Sequence, residues 1–312
     1  MDRREFLKRA VALGAAGALG LFLGDRSAPG RLWAESQAPN TIRKIPDIIA
    51  IKGGRQSSRL DRALQEVGGI GAFVRKGQTV VIKPNIGWSQ EPDIAATTNP
   101  ELVKRLVEQC IQAGAKKVWV FDHSCDNGPA SYKTSLIESY AKDGGATVVP
   151  GDNSSSYQEV VIPGAVTLKK THVHELVLEA DVFINVPVLK DHSGAGMTCA
   201  MKNLMGIVWD RGAFHAQGLD QCIADCCLFR RPALNIVDAG KIMLTGGPRG
   251  HSGSQYDEQQ MLILSTDIIA IDAVSARTLG KTPNDFGYIA KGEERGLGTS
   301  DVKKLDIRRL TV

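Results

Sequence analysis

The chain has 312 residues, 43% of them hydrophobic and 23% charged, with a formal net charge of +4. Residues 1–34 carry six basic and three acidic side chains, so most of that surplus lies there and the remainder is near +1. A near-neutral remainder without a basic, aromatic-studded face excludes nucleic acid as a partner. No later stretch reaches the ~18 apolar residues of a helical span, so no transmembrane span is expected in the mature chain.

The N terminus explains the charge. Asp2-Arg3-Arg4-Glu5-Phe6-Leu7-Lys8 precedes an apolar run from Ala10 to Leu23, the pattern of a twin-arginine export signal. At 14 residues the run is too short to cross a ~30 Å hydrocarbon core. The reading implies the twin-arginine export machinery as a partner, a periplasmic or extracytoplasmic destination, and folding before transit. Leu32-Trp33-Ala34 and Ser36-Gln37-Ala38 are both candidate cleavage sites, although Pro39 hinders the second. The expected division is a signal over 1–34, a linker over 35–44 and one α/β domain over 45–312.

Beyond the linker, short apolar runs alternate with amphipathic segments, which predicts an α/β fold. Strands are expected at Ile48–Ile51, Thr79–Ile82, Lys117–Phe121, Thr147–Val149, Val182–Val186, Ala233–Val237 and Met261–Ser265. Several are apolar at consecutive positions, which suits a largely parallel central sheet with helices on both faces. Asn99-Pro100-Glu101 starts a helix that Gly114 ends. Further helices are expected over Ser131–Lys142, Leu219–Phe229 and Asp267–Leu279. Residues 151–170 form an excursion, with Glu159–Ile162 pairing Val166–Lys169 as a small hairpin. Residues 240–258, with five glycines, read as a mobile loop.

Chemistry concentrates where strands end. The expected strands run into Lys83-Pro84-Asn85, Asp122-His123, Lys190-Asp191-His192 and Asp238. Ligands of open α/β sheets bind beyond the carboxyl ends of strands, so these residues converge on one crevice. Small residues at 193–196 feed a helical run through Lys202-Asn203, whose N-terminal amides and dipole would seat a phosphate or carboxylate. No Walker or dinucleotide glycine fingerprint is present. The expected anion-holding set is Lys83, Asn85, Lys190, Lys202, Asn203 and Asp238, and the catalytic set is Asp122, His123 and His192. His172 and His174 are expected to be solvated.

Six cysteines invite a metal reading. Cys222 and Cys226 are four apart on an expected helix and share a face. With Cys199 or Cys125 they would form a soft-metal or iron–sulfur site. Buried thiols packing as small hydrophobes is the competing reading, and no Cys-x-x-Cys or His-x-x-x-His spacing is present. A cofactor therefore stays unknown at this stage: a metal ion or iron–sulfur cluster is compatible with the residues but not demanded.

The run of motifs resembles a bacterial and archaeal family, domain-of-unknown-function family 362, over roughly Ile48 to Leu279. The resemblance rests on Val81-Ile82-Lys83-Pro84-Asn85, Thr98-Asn99-Pro100-Glu101-Leu102, Ala113-Gly114-Ala115-Lys116-Lys117-Val118 and Lys190-Asp191-His192. It continues in Lys202-Asn203-Leu204-Met205-Gly206, Ile236-Val237-Asp238-Ala239 and Ile271-Asp272-Ala273-Val274. It implies an α/β fold and no settled reaction. Many relatives carry an appended ferredoxin-like cluster segment, which this sequence lacks. Asp122-His123-Ser124 is also similar to a short motif of the nickel-pincer lactate racemases, where an Arg follows three residues after the Asp; here that position is Cys125.

Two functions fit. One is an exported enzyme acting on a small anionic ligand with metal or cofactor assistance. The other is a non-catalytic periplasmic binding or cofactor-maturation protein.

Overall fold

The structure, a computed structural model, describes residues 45–312; the signal, linker and cleavage sites expected over 1–44 lie outside the described residues. In chain order the first half contains β1 (Ile48–Lys52), α1 (Gln56–Glu66), β2 (Thr79–Pro84), α2 (Pro100–Gln112), β3 (Lys117–Val120), α3 (Gly128–Thr134), α4 (Ile137–Asp143) and β4 (Thr147–Val148). The middle holds β5 (Tyr157–Val161), β6 (Lys170–His174), α5 (Glu175–Glu179), β7 (Val182–Val186), β8 (Val188–His192), β9 (Gly196–Thr198), α6 (Ala200–Asn203), α7 (Gly212–Gln217) and α8 (Leu219–Phe229). The last part is β10 (Leu234–Met243), β11 (Tyr256–Asp257), β12 (Met261–Ser265), α9 (Ile268–Thr278), α10 (Gly287–Glu294) and β13 (Ile307–Thr311).

The central sheet has the order β13-β1-β12-β10-β7-β2-β3-β4. It is mostly parallel, with β12 antiparallel to both neighbours. Past Pro187, β8 continues the line of β7 beside the second half of β10. Consecutive apolar residues face opposite ways: Val80 and Ile82 join a core under α1, α2 and α4, while Val81 joins the one under α6, α8 and α9. Burial on both faces is why these strands do not alternate polar with apolar. Helix α2 begins as its sequence suggests, with the Asn99 side chain accepting from Glu101 N. Asp267 caps α9 through Ile269 N and Ala270 N. Among the described residues no helix is long and apolar enough to cross a membrane.

Four expectations change. The single helix over 131–142 is two, broken at Leu136 with φ +59°. At 3.6 residues per turn, Tyr132 and Ile137 would lie on different faces of one helix; the break lets both reach the same core. The hairpin pairs Tyr157–Val161 with Lys170–His174. Residues 166–168 cannot join its ladder because their amides are taken by the Asp225 carboxylate. His174 is buried rather than solvated, its Nδ1 accepting from Leu176 N and its ring 4.5 Å from that of Phe121. Finally, β10 runs on to Met243, so part of the expected loop is strand.

Candidate functional site

Strands β2, β3 and β8 end on one cavity of about 470 Å³. Strand β2 brings Lys83 and Asn85, and the loop after β3 brings Asp122 and His123. Lys190 and His192 arrive on β8, and Lys202 and Asn203 on the short helix α6. Arg211, His215 and Cys125 also line it.

At its base Lys83 Nζ lies 2.7 Å from Asp122 Oδ1, with both residues about 98% buried. Asp122 Oδ2 accepts from Ile86 N at 2.7 Å. Lys83 also donates to Pro84 O and to Asn203 Oδ1. Burial pushes the Lys83 ammonium below its ordinary range, and the Asp122 charge opposes that. From Asn203 a row of amides runs inward: Asn203 donates to Asn185 Oδ1 at 2.9 Å, and Asn185 donates to Asn235 Oδ1. Asn85 Nδ2 also donates to Asn203 Oδ1, at 3.1 Å. The network fixes Asn203 and leaves it little capacity for a ligand.

Three cations around the cavity have no carboxylate partner among the described residues. Lys190 is buried and gives its protons to Ala96 O and Pro248 O. Desolvation brings its pKa down to about 7. Among the described residues Lys202 has no ion pair and no hydrogen bond from its ammonium, and burial lowers it to about 8. Arg211 spans the loop after β3, donating to His123 O, Ser124 O and, at 3.2 Å, Cys125 Sγ.

The two histidines are held in opposite tautomers. His123 Nδ1 contacts Val208 O at 2.9 Å; a carbonyl only accepts, so Nδ1 carries the proton and Nε2 is the free base. Its ring stacks on Trp209 at 4.9 Å, and burial, then Arg211, lowers its pKa. His192 Nδ1 instead accepts from Gly194 N and Ala195 N, which leaves the proton on Nε2. Burial, with Lys202 and Lys190 nearby, lowers its pKa to about 3. At neutral pH His192 is therefore a hydrogen-bond donor through Nε2.

Other expected site residues lie elsewhere. Asp238 is mid-strand, accepting from Gln56 Nε2, Asn99 N and Gly240 N; it ties α1 and the start of α2 to the sheet. The α6 N-terminus is not an open anion seat, because Ala200 N and Met201 N donate to the Asp272 carboxylate at 2.7 and 3.1 Å. Cys199, Cys222 and Cys226 lie in the apolar core under α6 and α8, and burial raises each thiol, Cys226 to about 12. Among the described residues no group of three or more His, Cys, Asp or Glu is placed to hold a metal ion. Arg211 escaped sequence reading because it does not follow a strand.

The chain matches the family described as Domain of unknown function (DUF362) over residues 80–277. It belongs to that family. A thylakoid-associated protein of Synechocystis is 26% identical over 262 residues, covering 79% of this chain and 77% of that one. Among solved structures, the lactate racemase apoprotein of Thermoanaerobacterium thermosaccharolyticum aligns at 14% identity and TM-score 0.40, over 68% of this chain and 54% of its own. A Thermotoga maritima protein aligns at 11% identity and TM-score 0.45, over 72% and 59%. The similarity to both structures is distant, and the chain spans little more than half of either.

Proposed function

We propose that this DUF362 chain binds a small organic anion in the 470 Å³ cavity and moves a proton at the bound ligand. One observation carries the reading: Lys190, Lys202 and Arg211 surround the cavity without a carboxylate partner among the described residues. Cations so placed cost free energy when empty and recover it when an anion enters. The volume lies in the ~300–1,000 Å³ range of organic-ligand pockets, larger than an inorganic anion requires.

Lys202, the cation with no partner among the described residues, is the first anion contact. His192 Nε2–H adds a directed donor and His123 Nε2 is the proton acceptor. A neutral imidazole near working pH suits that role. The buried Lys83–Asp122 pair positions the cavity floor. A cofactor remains compatible with this reading, and none of these steps requires one. Export through the twin-arginine machinery belongs to the same proposal and is checked by signal-dependent export of a folded reporter.

The test is calorimetric titration with short mono- and dicarboxylates and organic phosphates, followed by NMR detection of deuterium uptake from D₂O into any ligand that binds. Saturable binding weakened at least tenfold by Lys202→Gln supports the anion site. Deuterium uptake that His123→Ala abolishes supports the enzyme. Binding without uptake favours the non-catalytic alternative; no binding by any anion overturns the whole reading.

A further inference from the structure

A second concavity, of about 660 Å³, shares no lining residue with the first. Its floor is the corner of the sheet where β13, β1 and β12 meet: Ala50, Met261, Ile263 and Ile307 lie there, with Val274 of α9 as a wall. The intervening Ile49, Ile51 and Leu262 face the opposite core, so the floor is one continuous sheet face. Sheet faces in α/β folds are normally covered by helices. Here Ala50, Met261, Ile307 and Val274 all stay partly exposed.

The rim has one sign. Lys52, Arg277 and Arg309 line the groove, no Asp or Glu does, and none of the three is ion-paired among the described residues. An apolar floor under cations selects an occupant that is both greasy and anionic. A second copy of the chain placed groove to groove would set these cations against one another, so self-association does not fit. We propose that this groove binds a long-chain alkyl carboxylate, its chain along the Ala50–Ile263 floor and its carboxylate among Lys52, Arg277 and Arg309. The inference is independent of the function assigned to the first cavity.

The test is titration of the full chain with octanoate, decanoate and dodecanoate, each below its micellar concentration, and with dodecylammonium. Affinity is expected to rise two- to fourfold per added methylene, given about 0.8 kcal/mol per buried CH₂. Dodecylammonium should bind at least tenfold more weakly than dodecanoate. Ala50→Trp, which fills the floor, should abolish binding. Arg277→Glu with Arg309→Glu, both exposed positions, should weaken it at least tenfold and keeps the test decisive should Ala50→Trp not fold. Lys202→Gln should leave it unchanged. Affinity independent of chain length, equal binding of the ammonium, or loss of binding in Lys202→Gln overturns the proposal.

Discussion

Lys83 and Asp122 form an almost wholly buried ion pair at the base of the cavity, 2.7 Å from Nζ to Oδ1, and Gly206 makes room for it. A Cβ on Gly206 would overlap Asp122 Oδ1 and lie 2.7 Å from Lys83 Nζ. The three residues come from β2, the loop after β3, and the segment after α6, so the pair joins elements far apart in sequence.

Removing one partner therefore strands the other charge where it is almost wholly buried. Lys83→Met alone should cost about 3–5 kcal/mol of unfolding free energy, the usual range for an orphaned buried charge. Lys83→Met with Asp122→Leu should recover most of that loss, because the pair itself is worth little against an apolar replacement. Gly206→Ala should destabilise comparably to the single variant. Denaturant titrations of these proteins and of Asp122→Leu decide it, and a double-variant loss equal to the sum of the two single losses would contradict the pairing.

Much of this site was legible in sequence because of one regularity. Lys83, Asn85, Asp122, His123, Lys190 and His192 follow or end apolar strand runs, and parallel strands deliver their carboxyl ends to one edge. Asp238 follows an apolar run too, but its strand does not stop there, and its carboxylate serves the α1 side instead. The α6 N-terminus was read as vacant because its occupant, Asp272, lies 72 residues later. Local pattern carries no information on such a pairing. Arg211 was missed for the same reason: its role depends on reaching back to Ser124 and Cys125.

Anion affinity should fall as pH rises. Lys190 and Lys202 have pKa values of about 7 and about 8, so both are charged at pH 6 and mostly neutral by pH 9. The attraction is present below those values and lost above them. Calorimetry across about pH 6–9 should show the decline, and Lys202→Gln should remove its upper part. Unchanged affinity across that interval would rule out lysine-held anion binding.

Asp272 links this site to stability. Burial raises its pKa to about 7, while Ala200 N and Met201 N favour the carboxylate. A folded-state value above the unfolded ~3.9 means the folded chain holds the extra proton, so this contribution is full below pH ~4 and lost as pH rises through ~7. Tm should therefore drop between about pH 4 and 7 more in the parent than in Asp272→Asn. Asp272→Asn should also weaken anion binding, because its amide NH₂ replaces one of the two accepting oxygens, faces a backbone N–H and loosens the helix that carries Lys202. A parallel Tm profile in the two proteins would remove Asp272 from this role.

Cys125 offers a direct view of the cavity. It is exposed and lines the pocket beside Arg211, whereas Cys110, Cys199, Cys222, Cys226 and Cys227 are all buried. Under native conditions iodoacetamide should therefore modify one equivalent of thiol, at Cys125, and six after denaturation. Iodoacetate carries the charge that Lys190, Lys202 and Arg211 attract, so its rate relative to iodoacetamide should exceed the ratio seen with free cysteine. Rising ionic strength should erase that excess, because screening weakens steering over about 10 Å. Occupancy by the anion that binds most tightly should slow both reagents at least tenfold, as the ligand and the thiol share one cavity. Peptide mapping of the alkylated protein reads all of this in one experiment. Full-speed alkylation of Cys125 at saturating ligand would place the anion somewhere other than between Lys202 and Arg211.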